Sequence, residues 1–448
     1  MIRKILKILI AVLILITLLI GYFAYFGFTT TKFNSMIKDQ VKKQNADLDI
    51  DIKKVKLHLD LKNLSIKIKT KNPKLILNNS KDIEINEISS NISISSYFQN
   101  KFAIKNLLIS SKNNEIISYI NLYKHINNSI QLVILKQIFK KGNAQVNINI
   151  NFDDNGKIRD NFHLSGNFLN TELRIPNNKN IKELSFKFKI KNKNYKFEKI
   201  LFKFNEINFN SEFININQKK NKFYVNGNFK NKENKINTDL ILLIFNNSLE
   251  KFDFSNTRFE STSDFTFNIS KKFKIKNLKI NSKLSLDKLT IKPDLHKIRN
   301  YIKNFNNLLN LKENKLNVKY SKKELFIDGS SEIYIDENSK SLIKYQIKKN
   351  KNKTKFETLL NLDKLDLAFN DITYKKQKNV KATLEVKGFE NKNKIYLKII
   401  NYKENNNRIE INNLEINKNK ILDIEKVKFS YLTNNNFKNE IILVKKDD

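Results

Sequence analysis

The chain has 448 residues, 40% of them hydrophobic, no cysteine, and a formal net charge of +39. Without cysteine there are no disulfides, thiolate metal sites or thiol nucleophiles. The charge does not mark a nucleic-acid binder. Among 84 basic residues only Arg3, Arg159, Arg174, Arg258, Arg299 and Arg408 are arginine, which suits bidentate base and phosphate contacts, while lysines such as Lys67, Lys69, Lys187 and Lys189 fill polar slots of alternating strands.

Residues 1–7 form a short basic leader carrying Arg3, Lys4 and Lys7, which predicts a cytoplasmic N-terminus. Ile8–Phe28 follows without one charge. At about 1.5 Å per residue it spans roughly 30 Å, the hydrocarbon thickness of a bilayer. Tyr22, Phe23, Tyr25 and Phe26 would form an interfacial belt at its far end. A cleaved signal peptide is the competing reading, but large residues stand where a small-x-small cleavage site belongs. The expectation is an uncleaved single-pass transmembrane anchor, with the rest of the chain in the periplasm. In residues 29–45, Phe33, Met36, Ile37 and Val41 fall at helical spacing and predict an amphipathic helix over Lys32–Gln44.

From residue 46 to 448 a strand pattern repeats without a linker. Two apolar residues alternate with polar ones, and after a three-residue step two more alternate. The pattern reads Leu59, Leu61, Leu64, Ile66 in LDLKNLSI and Phe102, Ile104, Leu107, Ile109 in FAIKNLLI. It returns as Tyr195, Phe197, Ile200, Phe202 in YKFEKILF, as Phe273, Ile275, Leu278, Ile280 in FKIKNLKI, and as Ile409, Ile411, Leu414, Ile416 in IEINNLEI. LDIEKVKF adds Leu422, Ile424, Val427 and Phe429. A three-residue step sends the second half of a strand to the other face unless a bulge or bend absorbs the extra residue. The repeat therefore predicts a long curved antiparallel sheet with one apolar face. Two stretches break the rhythm and predict helical insertions, at about 115–139 and 293–311. Their apolar positions include Ile116, Tyr119, Ile120 and Tyr123 in the first, and Leu295, Ile298, Ile302, Phe305, Leu308 and Leu309 in the second. With 8 Gly and 3 Pro, turns must fall to Asn, which tolerates the left-handed conformation. Pro176–Lys182, 230–235 and 349–355 are the expected loops.

No residue is nominated as catalytic or metal-binding. His58, His125, His163 and His296 show no ligand spacing, and neither a phosphate loop nor a nucleophile elbow is present. The chain is read as a non-enzyme without a cofactor.

A half-apolar sheet of this length must form a sandwich, close into a barrel, or stay open and be filled. About 25 strands at ~4.8 Å would extend ~120 Å. Rolled open, they would make an elongated apolar groove, a β-taco, in which each buried CH₂ of an acyl chain gains about 0.8 kcal/mol. The anchor, the short helix, LDIDIKKVKLHLDLKNLSIKIKT and the repeated x-NL-x strand pairs together resemble the AsmA-like family of TamB- and YhdP-type β-groove lipid-bridge proteins, best over residues 1–111. That resemblance implies an inner-membrane-anchored periplasmic protein of phospholipid transfer and outer-membrane biogenesis. Its expected partners are phospholipids, the inner membrane and other envelope or outer-membrane proteins, with no nucleic acid. The candidate groove lining is Leu59, Leu61, Leu64, Ile66, Phe102, Ile104, Leu107, Ile109, Phe197, Ile200, Phe202, Phe273, Ile275, Leu278, Ile280, Ile411, Leu414 and Ile416. The alternative is an anchored β-rich scaffold without lipid cargo. An outer-membrane barrel fits less well, since the first segment is bilayer-long and Trp girdles are absent.

Overall fold

The computed structural model describes residues 2–77, 81–126, 135–159, 161–175, 179–219, 222–235, 252–254, 257–270, 274–292, 301–302, 305, 308–335, 339–369, 374–391, 394–417, 420–432 and 437–445. The fold is mainly β, 68% strand and antiparallel, with an N-terminal apolar helix and few others. Two compact units divide the chain, Met1–Glu206 with Asn210–Lys220, and Ile207–Phe209 with Asn221–Asp448.

The first unit opens with α1 (Ile2–Tyr25), β1 (Phe28–Thr30), α2 (Asn34–Gln44), β2 (Leu48–Asp51), β3 (Val55–Asp60), β4 (Ser65–Lys71), β5 (Lys74–Leu77) and β6 (Ile83–Ser93). Then come α3 (Ile94–Phe98), β7 (Ile104–Ser111), β8 (Asn114–Glu115), α4 (Ile116–Ile126), β9 (Phe139–Asn151), β10 (His163–Ile175), β11 (Lys179–Lys191) and β12 (Asn194–Phe204), while β13 (Ile207–Lys219) contributes residues to both units. α1 is long and apolar enough to cross a membrane, and none of its membrane-length window is buried. It starts earlier than expected and carries Arg3, Lys4 and Lys7 inside the helix. It also ends earlier: Phe28 already belongs to β1. Gly27 makes the turn at φ +70°, where a Cβ would stand 2.5 Å from the Leu57 carbonyl oxygen, so only glycine fits.

The main sheet of this unit runs β1–β3–β4–β6–β7–β9–β10–β11–β12, every neighbour antiparallel. A side arm pairs β2 with β5 and β5 with the start of β6. Val41 of α2 packs with Leu48, Leu77, Ile83, Ile50 and Val55, and α4 sets Ile116 and Ile120 against Ala144. The expected helix at 115–139 is thus observed over Ile116–Ile126 and again at 135–138, while Glu115 and Phe139 belong to β8 and β9; residues 127–134 lie outside the described residues.

The second unit contains β14 (Lys222–Lys235), β15 (Phe252–Asp253), β16 (Arg258–Ser270), β17 (Ile275–Ile291), β18 (Leu309–Ser321), β19 (Leu325–Tyr334), β20 (Lys340–Lys349) and β21 (Thr354–Asn361). A hairpin of β22 (Leu367–Phe369) and β23 (Tyr374–Lys376) precedes β24 (Ala382–Asn391), β25 (Lys394–Glu404), β26 (Asn407–Asn417), β27 (Lys420–Leu432) and β28 (Lys438–Val444). From β16 to β21 and from β24 to β28 each strand pairs with its successor, and β21 pairs with β24. Two sequence expectations fail here. The helix expected over 293–311 is not observed: Ile302 forms an antiparallel bridge with Leu367, Phe305 and Leu308 are not helical, and Leu309–Leu311 open a strand that pairs with Ile333 and Tyr334; residues 293–300, 303–304 and 306–307 lie outside the described residues. The 230–235 segment continues β14 with a bulge between Asn231 and Asn234 rather than forming a loop. The turn between Lys349 and Thr354 falls where Asn-Lys composition placed one.

The β22–β23 hairpin helps build a buried core in this unit, with Leu365 fully buried among Leu311, Ile333, Ile335, Leu362, Leu367 and Tyr374. Beside it Lys376 is fully buried, and its ammonium donates to the carbonyl oxygens of Leu365 (2.9 Å), Gln377 (3.0 Å) and Asp363 (3.2 Å). Burial holds its pKa below the ordinary lysine value, against the pull of Asp363 and Asp366.

Candidate functional site

Residues directly opposite one another on paired strands share a face. In the first unit this rule traces one apolar row across the sheet. Phe28 faces Leu57, Leu57 faces Ile68, and Leu59 faces Ile66. Ile66 faces Ile92, which faces Ile104. Ile88 faces Ile109, Ile109 faces Ile148, and Ile148 faces Leu164. Leu164 then faces Ile190, which faces Tyr195, while Phe188 faces Phe197. Most of these side chains are half-buried rather than enclosed. The row begins at Phe28, three residues after the end of the membrane-length helix.

The three-residue step is absorbed as the pattern requires. On β12, Lys199 adopts φ +54°, and Glu198 and Leu201 face Lys187 and Ser185 on the opposite side of the sheet, which leaves Phe197, Ile200 and Phe202 together. On β17, Asn277 at φ +54° keeps Ile275, Leu278 and Ile280 on one side. On β26, Asn413 at φ +50° does the same for Ile411, Leu414 and Ile416. β7 bulges at Lys105, so Ile104, Leu107 and Ile109 share a side. Bulges also line up across strands: Asn170 on β10, Glu183 on β11 and Lys199 on β12 are all left-handed, beside Gly142 of β9. Each of the three is followed by a buried residue, Thr171, Leu184 and Ile200. A row of bulges bends the strands that carry it and increases their twist.

LDLKNLSI behaves differently. Leu61–Leu64 form the tight turn between β3 and β4, so Leu61 and Leu64 are exposed turn residues and do not line the face. Asp60 favours the turn by accepting hydrogen bonds from the backbone and side chain of Asn63. Phe102 precedes β7 and packs on Phe152 and over Gly156. Phe273 lies outside the described residues. Ile275 keeps its face but is largely exposed.

In the second unit the same rule joins Phe265 to Ile280, Ile280 to Tyr320, Val318 to Ile327 and Ile327 to Ile347. The row goes on from Ile347 to Phe356, from Val386 to Ile400, from Ile400 to Ile411 and from Ile411 to Val427. Glycines on these faces sit opposite aromatic rings: Gly166 with Phe188, Gly227 with Phe265, and Gly329 with Tyr345. A Cβ at Gly329 would meet the Tyr345 ring at 2.5 Å, so the ring lies across the backbone.

The opposite side of the strands is ionic. Lys196 hydrogen-bonds Glu198, with Lys189 assisting, and holds its carboxyl below the ordinary glutamate value. Lys387 does the same for Glu385. These pairs are solvated and add little stability. Among the described residues no group of three or more His, Asp or Glu could hold a metal ion.

Sequence reasoning missed the buried polar pairs at the bulges, Asn231 with Ser261 and Asn314 with Ser331. It also missed Lys376. No local sequence pattern marked them: Glu313, just before Asn314, shows its left-handed φ of +52° only in the folded chain.

No family model and no curated protein matches this chain. The functional reading therefore rests on the face itself and on the quoted motifs.

Proposed function

We propose that this protein binds phospholipid acyl chains along its apolar face and serves lipid transfer or outer-membrane biogenesis from an anchor in the bacterial inner membrane. The observation that carries the reading is the register-matched row of half-buried aliphatic and aromatic side chains that begins at Phe28. Such a row gains free energy from any apolar chain laid on it and imposes no directional bonds, so a chain can slide. Lysines on the opposite side keep that surface wet and solvate the sheet. The AsmA-like resemblance of residues 1–111 points the same way and supplies the expected lipid class and compartment.

A photoreactive benzoyl-phenylalanine at Ile109, on the face, and at Leu108, its neighbour on the other side, tests the proposal in cells. Phospholipid adducts at position 109 and none at 108 are expected. Absence of lipid at position 109, with the protein folded and abundant, would sink it.

One observation favours an anchored scaffold instead: around the β22–β23 hairpin the second unit buries a core of its own apolar side chains. Protein adducts in place of lipid at position 109 would move the reading there.

A further inference from the structure

β1 runs from Phe28, opposite Leu57, to Thr30, opposite Val55. The chain backward from β1 and the chain forward from β3 therefore leave the sheet at the same end. α1 meets β3 near that end, where the Tyr25 carbonyl lies 3.3 Å from His58 Nε2 and the Phe23 ring contacts Phe28. The β3–β4 turn and α3 occupy this end too, joined where the Ile94 amide donates to the Leu64 carbonyl (3.0 Å). β3 continues past His58 toward the turn, and α3 is reached across three strand spacings of ~4.8 Å each from β1.

Large apolar side chains project from these two loops: Leu61 (50% exposed), Leu64 (61%), Tyr97 (69%) and Phe98 (79%). The Tyr97 and Phe98 rings form an edge-to-face pair at 5.9 Å. Leu64 holds φ +45°, a conformation that Asn or Gly adopts far more cheaply than a branched aliphatic residue. The hairpin turn imposes this conformation and leaves the large apolar side chain of Leu64 exposed. Exposed Lys62 and Lys101 border the group, and lysines beside exposed apolar and aromatic residues suit an anionic headgroup layer. Ile158 and Phe162, also exposed, lie farther along the sheet, and its twist turns successive strand ends away from a common plane.

We infer that the β3–β4 turn and α3 form a second membrane contact, with Leu61, Leu64, Tyr97 and Phe98 seated in the interface of the same bilayer that α1 enters. The inference rests on α1 being in a bilayer. Two contacts at one end of the sheet, helix and loops, fix the unit's orientation and hold the start of the apolar row at the lipid surface.

The chain contains no tryptophan, so single insertions report cleanly. The full chain is reconstituted into vesicles of phosphatidylcholine and phosphatidylglycerol whose acyl chains carry bromine either near the headgroup or near the bilayer centre. Four variants are compared: Leu61→Trp, Phe98→Trp, Glu206→Trp in the turn after β12 at the far strand end, and Leu15→Trp within α1. Shallow bromine should quench Leu61→Trp and Phe98→Trp at least about twofold more than deep bromine, as for side chains ~5–10 Å into the interface. Glu206→Trp should be unquenched and Leu15→Trp quenched by deep bromine. If Leu15→Trp is quenched while Leu61→Trp and Phe98→Trp match Glu206→Trp, the docking surface is overturned and the anchor stands. If Leu15→Trp escapes quenching as well, both the anchor and the docking surface are overturned.

Discussion

Replacing Leu107 with Asp probes the apolar face where register places it most firmly. Leu107 sits between Ser90 and Ile150 on the flanking strands and beside Ile109 on its own. An acyl chain crossing the sheet covers one strand spacing of ~4.8 Å with on the order of four methylenes. At about 0.8 kcal/mol per fully buried CH₂, and with one side of each methylene against the protein, one strand contributes ~1.5 kcal/mol, or ~10-fold in affinity. A carboxylate on the face adds a desolvation penalty, so Leu107→Asp should weaken binding ~10–100-fold. Leu108 faces Ser89 and Asn149 on the other side, so Leu108→Asp should change binding less than about twofold. A fluorescent fatty-acyl probe titrated against the full chain in nanodiscs, corrected with protein-free discs, reads both. Equal effects from the two variants, with circular dichroism unchanged, would refute the assignment of faces.

Three further outcomes follow from the packing. Lys376→Met removes three charge-assisted bonds but also the cost of a buried ammonium, and should destabilise the second unit by about 2–4 kcal/mol in urea melts. Asn277→Gly should leave stability within ~0.5 kcal/mol, whereas Asn277→Val, forced to a left-handed φ, should cost ~1–2 kcal/mol. Glu404 is buried, and burial raises its pKa although Asn407 donates to it. Between its unfolded pKa and its raised folded one the native state holds a proton that the unfolded chain releases, so stability falls as pH rises through that window. Glu404→Gln should therefore raise the melting temperature near pH 7 and leave it unchanged near pH 4, relative to the parent chain.

The strand rhythm was legible because period-two alternation fixes a face locally. At Lys199, Asn277 and Asn413 the three-residue step proved to be one left-handed residue inside a continuous strand. The same spacing at Leu59–Ile66 became a hairpin, because Asp60 caps Asn63 and β4 finds β6 as its second neighbour. That choice depends on partners distant in sequence, which a local pattern does not carry. Leu309 shows the converse: helical spacing lost to a strand that Tyr334 and Ile291 pair from either side. Lys376 occupies what reads as an ordinary polar slot, and only the folded hairpin reveals it as a fully buried ammonium bound to three carbonyl oxygens.

Within the runs β9–β12, β16–β21 and β24–β28 every strand hydrogen-bonds the one next to it in sequence. Connectivity of that kind makes reach a quantity that changes in steps. Duplicating or deleting one hairpin adds or removes two spacings, ~10 Å, without cutting any other pairing. Copying a short stretch of coding sequence can thus lengthen such a sheet, and each intermediate still closes its own hydrogen bonds.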